Sequence, residues 1–243
     1  MQEKSVEKNK NIIRDTIKLL IVFFVMPLTI FFTWKYAGNK YYLTSLILII
    51  FAVVPFFLRF EKRKPEAREL VTLAVICAIS VISRVSFSMV PHFKPMAAII
   101  MISGIAFGGE AGFLVGAISA FVSNFVFMQG PWTPWQMFAY GIGGLLAGVL
   151  AKVKIMKVDK PLRTAILGGV LIIAVVGPLL DTCSLFTMGI EINKSSIATT
   201  YLAGLPLNAV HAVATLATLL LIGKPMTEKL YRIQRKYGIM REE

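Results

Sequence analysis

Five polar or ionisable side chains lie inside segments that are otherwise apolar: Arg84, Asn124, Asp181, Asn208 and His211. An ionisable group at membrane depth costs roughly 2.5 to 3.5 kcal/mol on insertion scales, so each needs a partner or a use. Arg84 and Asp181 fall at similar distances from the same end of their segments, which makes an ion pair between them geometrically possible. Each could instead meet a polar group of a ligand. Asn208 and His211 are one helical turn apart and share a face, a spacing that suits an interhelical hydrogen bond or a ligand contact. Two connecting segments add to this set. Residues 90–95, VPHFKP, place His92, Phe93 and Lys94 between prolines; residues 128–136, MQGPWTPWQ, offer Gln129, Trp132, Trp135 and Gln136. Prolines reduce the entropy lost on ordering a loop, and tryptophan combines a flat apolar face with one donor. Such residues suit one wall of a pocket for a ring-containing polar molecule. Tryptophans at the headgroup level would also form an interfacial belt.

The elements that carry these residues are membrane helices. The chain has 243 residues, is 56% hydrophobic and only 16% charged, with a mean hydropathy of +0.72. Its apolar runs are continuous, where a membrane β-barrel would alternate over about ten residues. Hydropathy predicts eight spans: residues 15–34, 41–58, 69–89, 95–108, 110–128, 133–151, 164–187 and 198–222. The fold class is therefore all-α, a polytopic membrane helix bundle.

The net charge of +13 would suggest nucleic acid in a soluble protein. Here topology accounts for it. With both termini inside, twenty-one of the 26 Lys and Arg fall in residues 1–18, 59–68, 152–163 and 224–241, and only Lys35, Lys40, Lys94 and Lys194 fall in outside loops. The positive-inside rule gives an N-in, C-in, multi-pass protein of the cell membrane, its surface in contact with lipid and with no nucleic-acid partner. The polar N-terminus reads as a retained cytoplasmic tail. Cys77 and Cys183, at opposite depths, read as packing residues.

Residues 1–58 are expected to form a cytoplasmic tail and an N-terminal transmembrane hairpin, residues 59–68 a basic linker, residues 69–222 a six-helix substrate-binding core, and residues 223–243 a basic cytoplasmic tail. Within the core, Gly104, Gly108, Gly112 and Gly116 recur every four residues, and Gly144 and Gly148 repeat the interval. That spacing lets helix backbones approach closely. Glu110 in a first helical turn reads as a cap. The sequence holds no HExxH zinc motif, no GxSxG nucleophile turn and no GxxxxGK[ST] phosphate loop, so no catalytic residue, metal ligand or cofactor is assigned.

Residues 94–150, with the glycine-studded hairpin, the Ser123–Asn124 pair and the GPWTPWQM loop in order, resemble the substrate-binding S component of an energy-coupling factor (ECF) vitamin transporter. The resemblance extends over about residues 66–222. It implies a six-helix core, from which the extra N-terminal hairpin is a departure, a vitamin substrate captured at the outer face, and association with a transmembrane T component and two cytoplasmic ATPases. It also implies that Ala74 and Ala78, an AxxxA pattern on the first core helix, contact the T component. The GPWTPWQM loop is most similar to S components for cobalamin and corrinoids, so cobalamin is the expected substrate, with riboflavin or folate as alternatives. A stand-alone proton-coupled transporter using Asp181 or His211 is the competing reading.

Overall fold

The computed structural model describes residues 66–187 and 193–240. The expected hairpin of residues 1–58 and most of the 59–68 linker lie outside them. Every regular element among the described residues is helical: α1 Ala67–Ser86, α2 Met96–Phe107, α3 Gly109–Phe127, α4 Trp132–Lys152, α5 Pro161–Leu171, α6 Gly177–Thr187, α7 Lys194–Thr218 and α8 Lys224–Tyr237. A π-helical turn, Ile172–Val176, joins α5 to α6, and another, Leu219–Gly223, joins α7 to α8. These unions leave six continuous helices. Four of them, including Pro161–Thr187 and Lys194–Tyr237, are long and apolar enough to cross a membrane.

The centre of the bundle is α2. Its twelve residues are all buried, as expected of a helix that is apolar on every side. At 1.5 Å per residue it rises about 18 Å, short of the roughly 30 Å of hydrocarbon. The segment read from hydropathy as a crossing of residues 95–108 is thus an enclosed core helix, packed by α1, α3, α4, α7 and α8. Gly108 alone separates it from α3, with φ 91°, a conformation that side chains with a Cβ rarely adopt.

Glycine sets how closely α2, α3 and α4 approach. A Cβ on Gly112 would lie 2.7 Å from the Cα of Gly104, and one on Gly116 would lie 2.5 Å from the carbonyl oxygen of Tyr140. A Cβ on Gly144 would overlap the Gly112 carbonyl, and one on Gly148 the amide of Gly109. Lipid provides no hydrophobic drive for helices to associate, so backbone contact of this kind is what holds them.

Around this crossing, α1 buries Leu73, Ile76, Cys77, Ser80 and Arg84 at helical spacing and leaves Val71, Ala74, Val75, Ala78, Ile79 and Ile82 on the outside or partly so. The last helix differs from the expected span ending at residue 222. The chain continues helically to Tyr237, and α8 packs its apolar side on the core, with Leu230 buried and Tyr231 Oη donating to the Ile105 carbonyl at 3.2 Å. Gly238 then turns the chain through φ 67°, Ile239 and Met240 are buried, and the Met240 amide donates to the Glu69 carboxylate. Residues 223–240 are a folded clasp on the start of α1 where the sequence suggested a tail.

The crossing makes Gly144→Ala a severe change. Its Cβ must displace backbone, and overpacking of this kind costs about 1 to 3 kcal/mol or more. We expect a lower melting temperature in detergent for Gly144→Ala. Gly169→Ala, whose Cβ would sit 3.6 Å from its nearest neighbour, should melt like the parent.

Candidate binding site

The end of the bundle that carries residues 87–95 and 128–131 gathers most of the polar residues. Arg84, on the last turn of α1, is 8% exposed. Its Nη1 donates to Ser123 Oγ and, at 3.1 Å, to Asn124 Oδ1, both on α3, and the guanidinium carbon lies 4.4 Å from the centre of the Phe127 ring. Asn124 passes the interaction on: its Nδ2 donates to Thr133 Oγ1 at 3.0 Å, and the same oxygen accepts the Gly130 amide at 3.1 Å. The expected possibility of an Arg84–Asp181 ion pair is not realised. Asp181 instead accepts from Asn208 Nδ2 at 2.7 Å.

That second pair rests on two glycines. A Cβ on Gly204 of α7 would lie 2.5 Å from the Asp181 carboxylate, and a Cβ on Gly177 of α6 would lie 2.5 Å from the Asn208 amide carbon. Each helix therefore opens a seat for the other's polar side chain. Thr182 Oγ1 and Tyr201 Oη, 2.7 Å apart, tie the same two helices. One turn from Asn208, as its spacing predicted, His211 faces inward at 2% exposure and meets the Tyr140 ring edge-on, centroids 5.9 Å apart. The Tyr140–His211, Asp181–Asn208 and Thr182–Tyr201 contacts place α4, α6 and α7 around one interior region.

The GPWTPWQ stretch is not the free loop expected from hydropathy. Helix α4 starts at Trp132, so its two tryptophans leave the first turn in different directions. Trp135 is buried and stacks on Phe186 of α6, centroids 5.6 Å apart and planes 16° apart. Trp132 is 37% exposed, with its Nε1 donating to the Met128 carbonyl at 3.3 Å, a geometry that fits the belt alternative. Gln129 is exposed and donates to the Phe121 carbonyl at 3.0 Å, closing the end of α3. Neither Trp132 nor Gln129 turns into the interior. Phe93 is half-buried against Phe87, centroids 5.1 Å apart. Ala74 and Ala78 are far from this end, exposed on α1.

Five buried polar atoms have no hydrogen-bond partner among the described residues: Ser119 Oγ on α3, and Trp135 Nε1, Gln136 Oε1, Tyr140 Oη and His211 Nε2 on α4 and α7. Native proteins satisfy most such groups, since each one left alone costs about 1 to 3 kcal/mol. Gln136 and Tyr140 are one turn apart on α4, facing α7 through the Tyr140–His211 contact, while α4 and α7 make no extended backbone packing of their own. The α4–α7 seam at the Tyr140–His211 contact thus has two groups able to donate or accept and, one turn along α4, the fixed acceptor Gln136 Oε1, while Trp135 Nε1 adds a fixed donor from the neighbouring position, its ring against α6. Tyr140, Thr133 and Phe186 escaped the sequence reading, and Ser123 entered it only through the family resemblance. The available signal was Tyr140 at i+4 from Gln136, a polar tip within an apolar run.

Loop position shapes His92. It takes φ 58°, the left-handed region that few non-glycine residues visit. Partial burial first, then the Lys94 ammonium, hold its imidazole below the ordinary range, while the Asp181 carboxylate pulls the other way. A folded-state value below the unfolded one means that the unfolded chain binds more protons as pH falls through the ordinary imidazole range. Stability attributable to His92 is therefore complete at neutral pH and is lost on acidification. Melting curves between pH 7.5 and 5.5 should fall with pH less steeply in His92→Gln than in the parent; equal slopes would leave His92 without this role.

A family model described as "ECF-type riboflavin transporter, S component" matches residues 64–229. Neither the curated proteins nor the solved structures contain a match. The family is one of transporter components and not of enzymes, and its description names riboflavin, which does not support the cobalamin type expected from the GPWTPWQM loop. The match covers well over half of the sequence, in a multi-pass helical membrane protein: the chain belongs to the family of ECF-type riboflavin transporter S components.

Proposed function

We propose that this protein is the riboflavin-capturing subunit of an ECF importer. The flavin enters from the end bearing His92 and Trp135, and a T component with two ATPases drives its release to the other side. The observation that carries this reading is the set of orphaned buried atoms on Trp135, Gln136, Tyr140 and His211. An isoalloxazine is planar, and its imide edge presents acceptor, donor and acceptor in turn. Gln136 Oε1 can take the imide N–H, while Trp135 Nε1 and Tyr140 Oη can serve the flanking carbonyls. The Trp135–Phe186 stack supplies an aromatic wall. A seam bridged by the Tyr140–His211 ring contact suits a molecule one ring thick better than a corrin with its projecting amides. Asn208, one turn from His211 on α7, and its partner Asp181 are our assignment for the polyol chain.

The direction of transport follows from charge. The basic residues of 152–163 and 224–236 cluster at the end opposite the seam, and the positive-inside rule then assigns the seam to the outside and both termini to the cytoplasm. The exposed Ala74 and Ala78, one turn apart on α1, give a smooth strip against which another helix can pack closely. This strip is our assignment for T-component contact.

Quenching of flavin fluorescence by the purified protein tests the proposal. Riboflavin should bind saturably, one per chain, and cobalamin should not; failure of riboflavin to bind folded protein overturns it. Tyr140→Phe should weaken riboflavin by about ten-fold, the scale of one lost hydrogen bond, and yet leave the ligand-free melting temperature unchanged or higher, because it removes an unpartnered hydroxyl. Ala74→Trp should bind riboflavin normally and fail in ATP-driven uptake with the partner subunits. Normal uptake by Ala74→Trp would remove α1 from the docking assignment.

A further inference from the structure

Arg84 presents a cation at membrane depth with no carboxylate within ion-pairing distance among the described residues. Its neighbours are neutral: a hydroxyl, an amide oxygen and a phenyl face. A lone pairing of this kind is expensive unless the charge does something that a neutral residue could not. What it touches is the start of a relay. Asn124 Oδ1 receives the guanidinium, Asn124 Nδ2 donates to Thr133 Oγ1, and that oxygen also accepts the Gly130 amide, while the Thr133 amide donates to the Gly130 carbonyl at 2.9 Å. A charged donor on its carbonyl polarises the Asn124 amide and strengthens the bond it gives, so the links reinforce one another.

The relay ends in the first turn of α4. Thr133 is at the second helical position, and Pro131 and Pro134 deprive that turn of two backbone donors. The turn has no side-chain cap on its Pro131 N-cap, and Asn124 gives it a side-chain hydrogen bond from another helix. Two and three residues beyond Thr133 are Trp135, stacked on Phe186, and Gln136, whose amide oxygen is buried without a partner. The geometry points to Arg84, through Asn124 and Thr133, as the positioning residue that aims the α4 N-terminal turn and so holds Trp135 and Gln136 in the flavin seam, without itself touching the flavin. The aiming of Trp135 is independent of the ligand's identity; its consequence for affinity rests on the flavin reading above.

The test uses the full-length protein with Trp34→Phe and Trp132→Phe, which leaves Trp135 as the sole tryptophan of the three in the chain. In this background, Arg84→Gln and Thr133→Val should each shift the Trp135 emission and raise its quenching by acrylamide, the double variant should go no further than either single one, and Thr133→Ser should match the parent. Riboflavin and lumiflavin, which lacks the polyol, should both weaken by a common factor of about ten, with one binding site per chain retained. A Trp135 signal unmoved by both variants overturns the relay. So does an Arg84→Gln that weakens riboflavin alone, since Arg84 would then contact the polyol, and so does a loss of binding sites at unchanged affinity, which marks a purely structural role. Thr133→Val keeps the charge in place, and it decides the matter if Arg84→Gln does not fold. If the parent binds no flavin, the function proposed above fails, and the tryptophan signal by itself upholds or rejects the relay.

Discussion

The structure depends on backbone contact among α2, α3 and α4, made possible by Gly104, Gly112, Gly116, Gly144 and Gly148. Lipid tails are as apolar as leucine, so burying a leucine between membrane helices gains little; van der Waals contact over a close crossing must provide the adhesion. That crossing encloses α2 on every side and accounts for a membrane-embedded helix of only twelve residues. Residues 223–240 then cover the end of α1 and α2 nearest the basic loops, through Tyr231 to Ile105 and Met240 to Glu69.

With adhesion concentrated there, the opposite end can be polar and less tightly closed. Two charges sit at depth, and each is accommodated differently. Arg84 is solvated by Ser123, Asn124 and the Phe127 face, whereas Asp181 is seated over Gly204 and bonded to Asn208. Keeping them apart leaves each with an orienting function, one for the first turn of α4 and one for the α6–α7 pair. The π-helical turn ahead of Gly177 adds a residue to its helix, a feature common at functional sites because it changes which side chains face inward beyond it.

The sequence was most informative where the signal is periodic. The six core helices, the glycine intervals as packing seams, and the shared face of Asn208 and His211 could all be read from spacing, since each depends on residues a few positions apart in one helix. Other residues could not be resolved in this way. Trp132 and Trp135 look equivalent in GPWTPWQ, yet the first helical turn sends one outward and stacks the other on Phe186. Tyr140 is unremarkable by composition; its unpartnered hydroxyl is visible only once α4 and α7 are placed side by side. The likeness to corrinoid-type components rested on that same stretch of loop, whereas the family match draws on residues 64–229.

Hydropathy, charge distribution and glycine spacing thus determined, from the sequence by itself, a helical membrane bundle and the separation of basic from neutral loops, while the family was legible as a resemblance in the motifs of residues 94–150. Tertiary structure alone decided partners: Arg84 with Ser123 and Asn124, Asp181 with Asn208, Trp135 with Phe186, and the C-terminal clasp with Glu69. The physical reason is that periodicity specifies which face of a helix is buried, while the identity of the residue it meets depends on the rotation and crossing angle of a second helix, and those are set by packing between segments far apart in the chain.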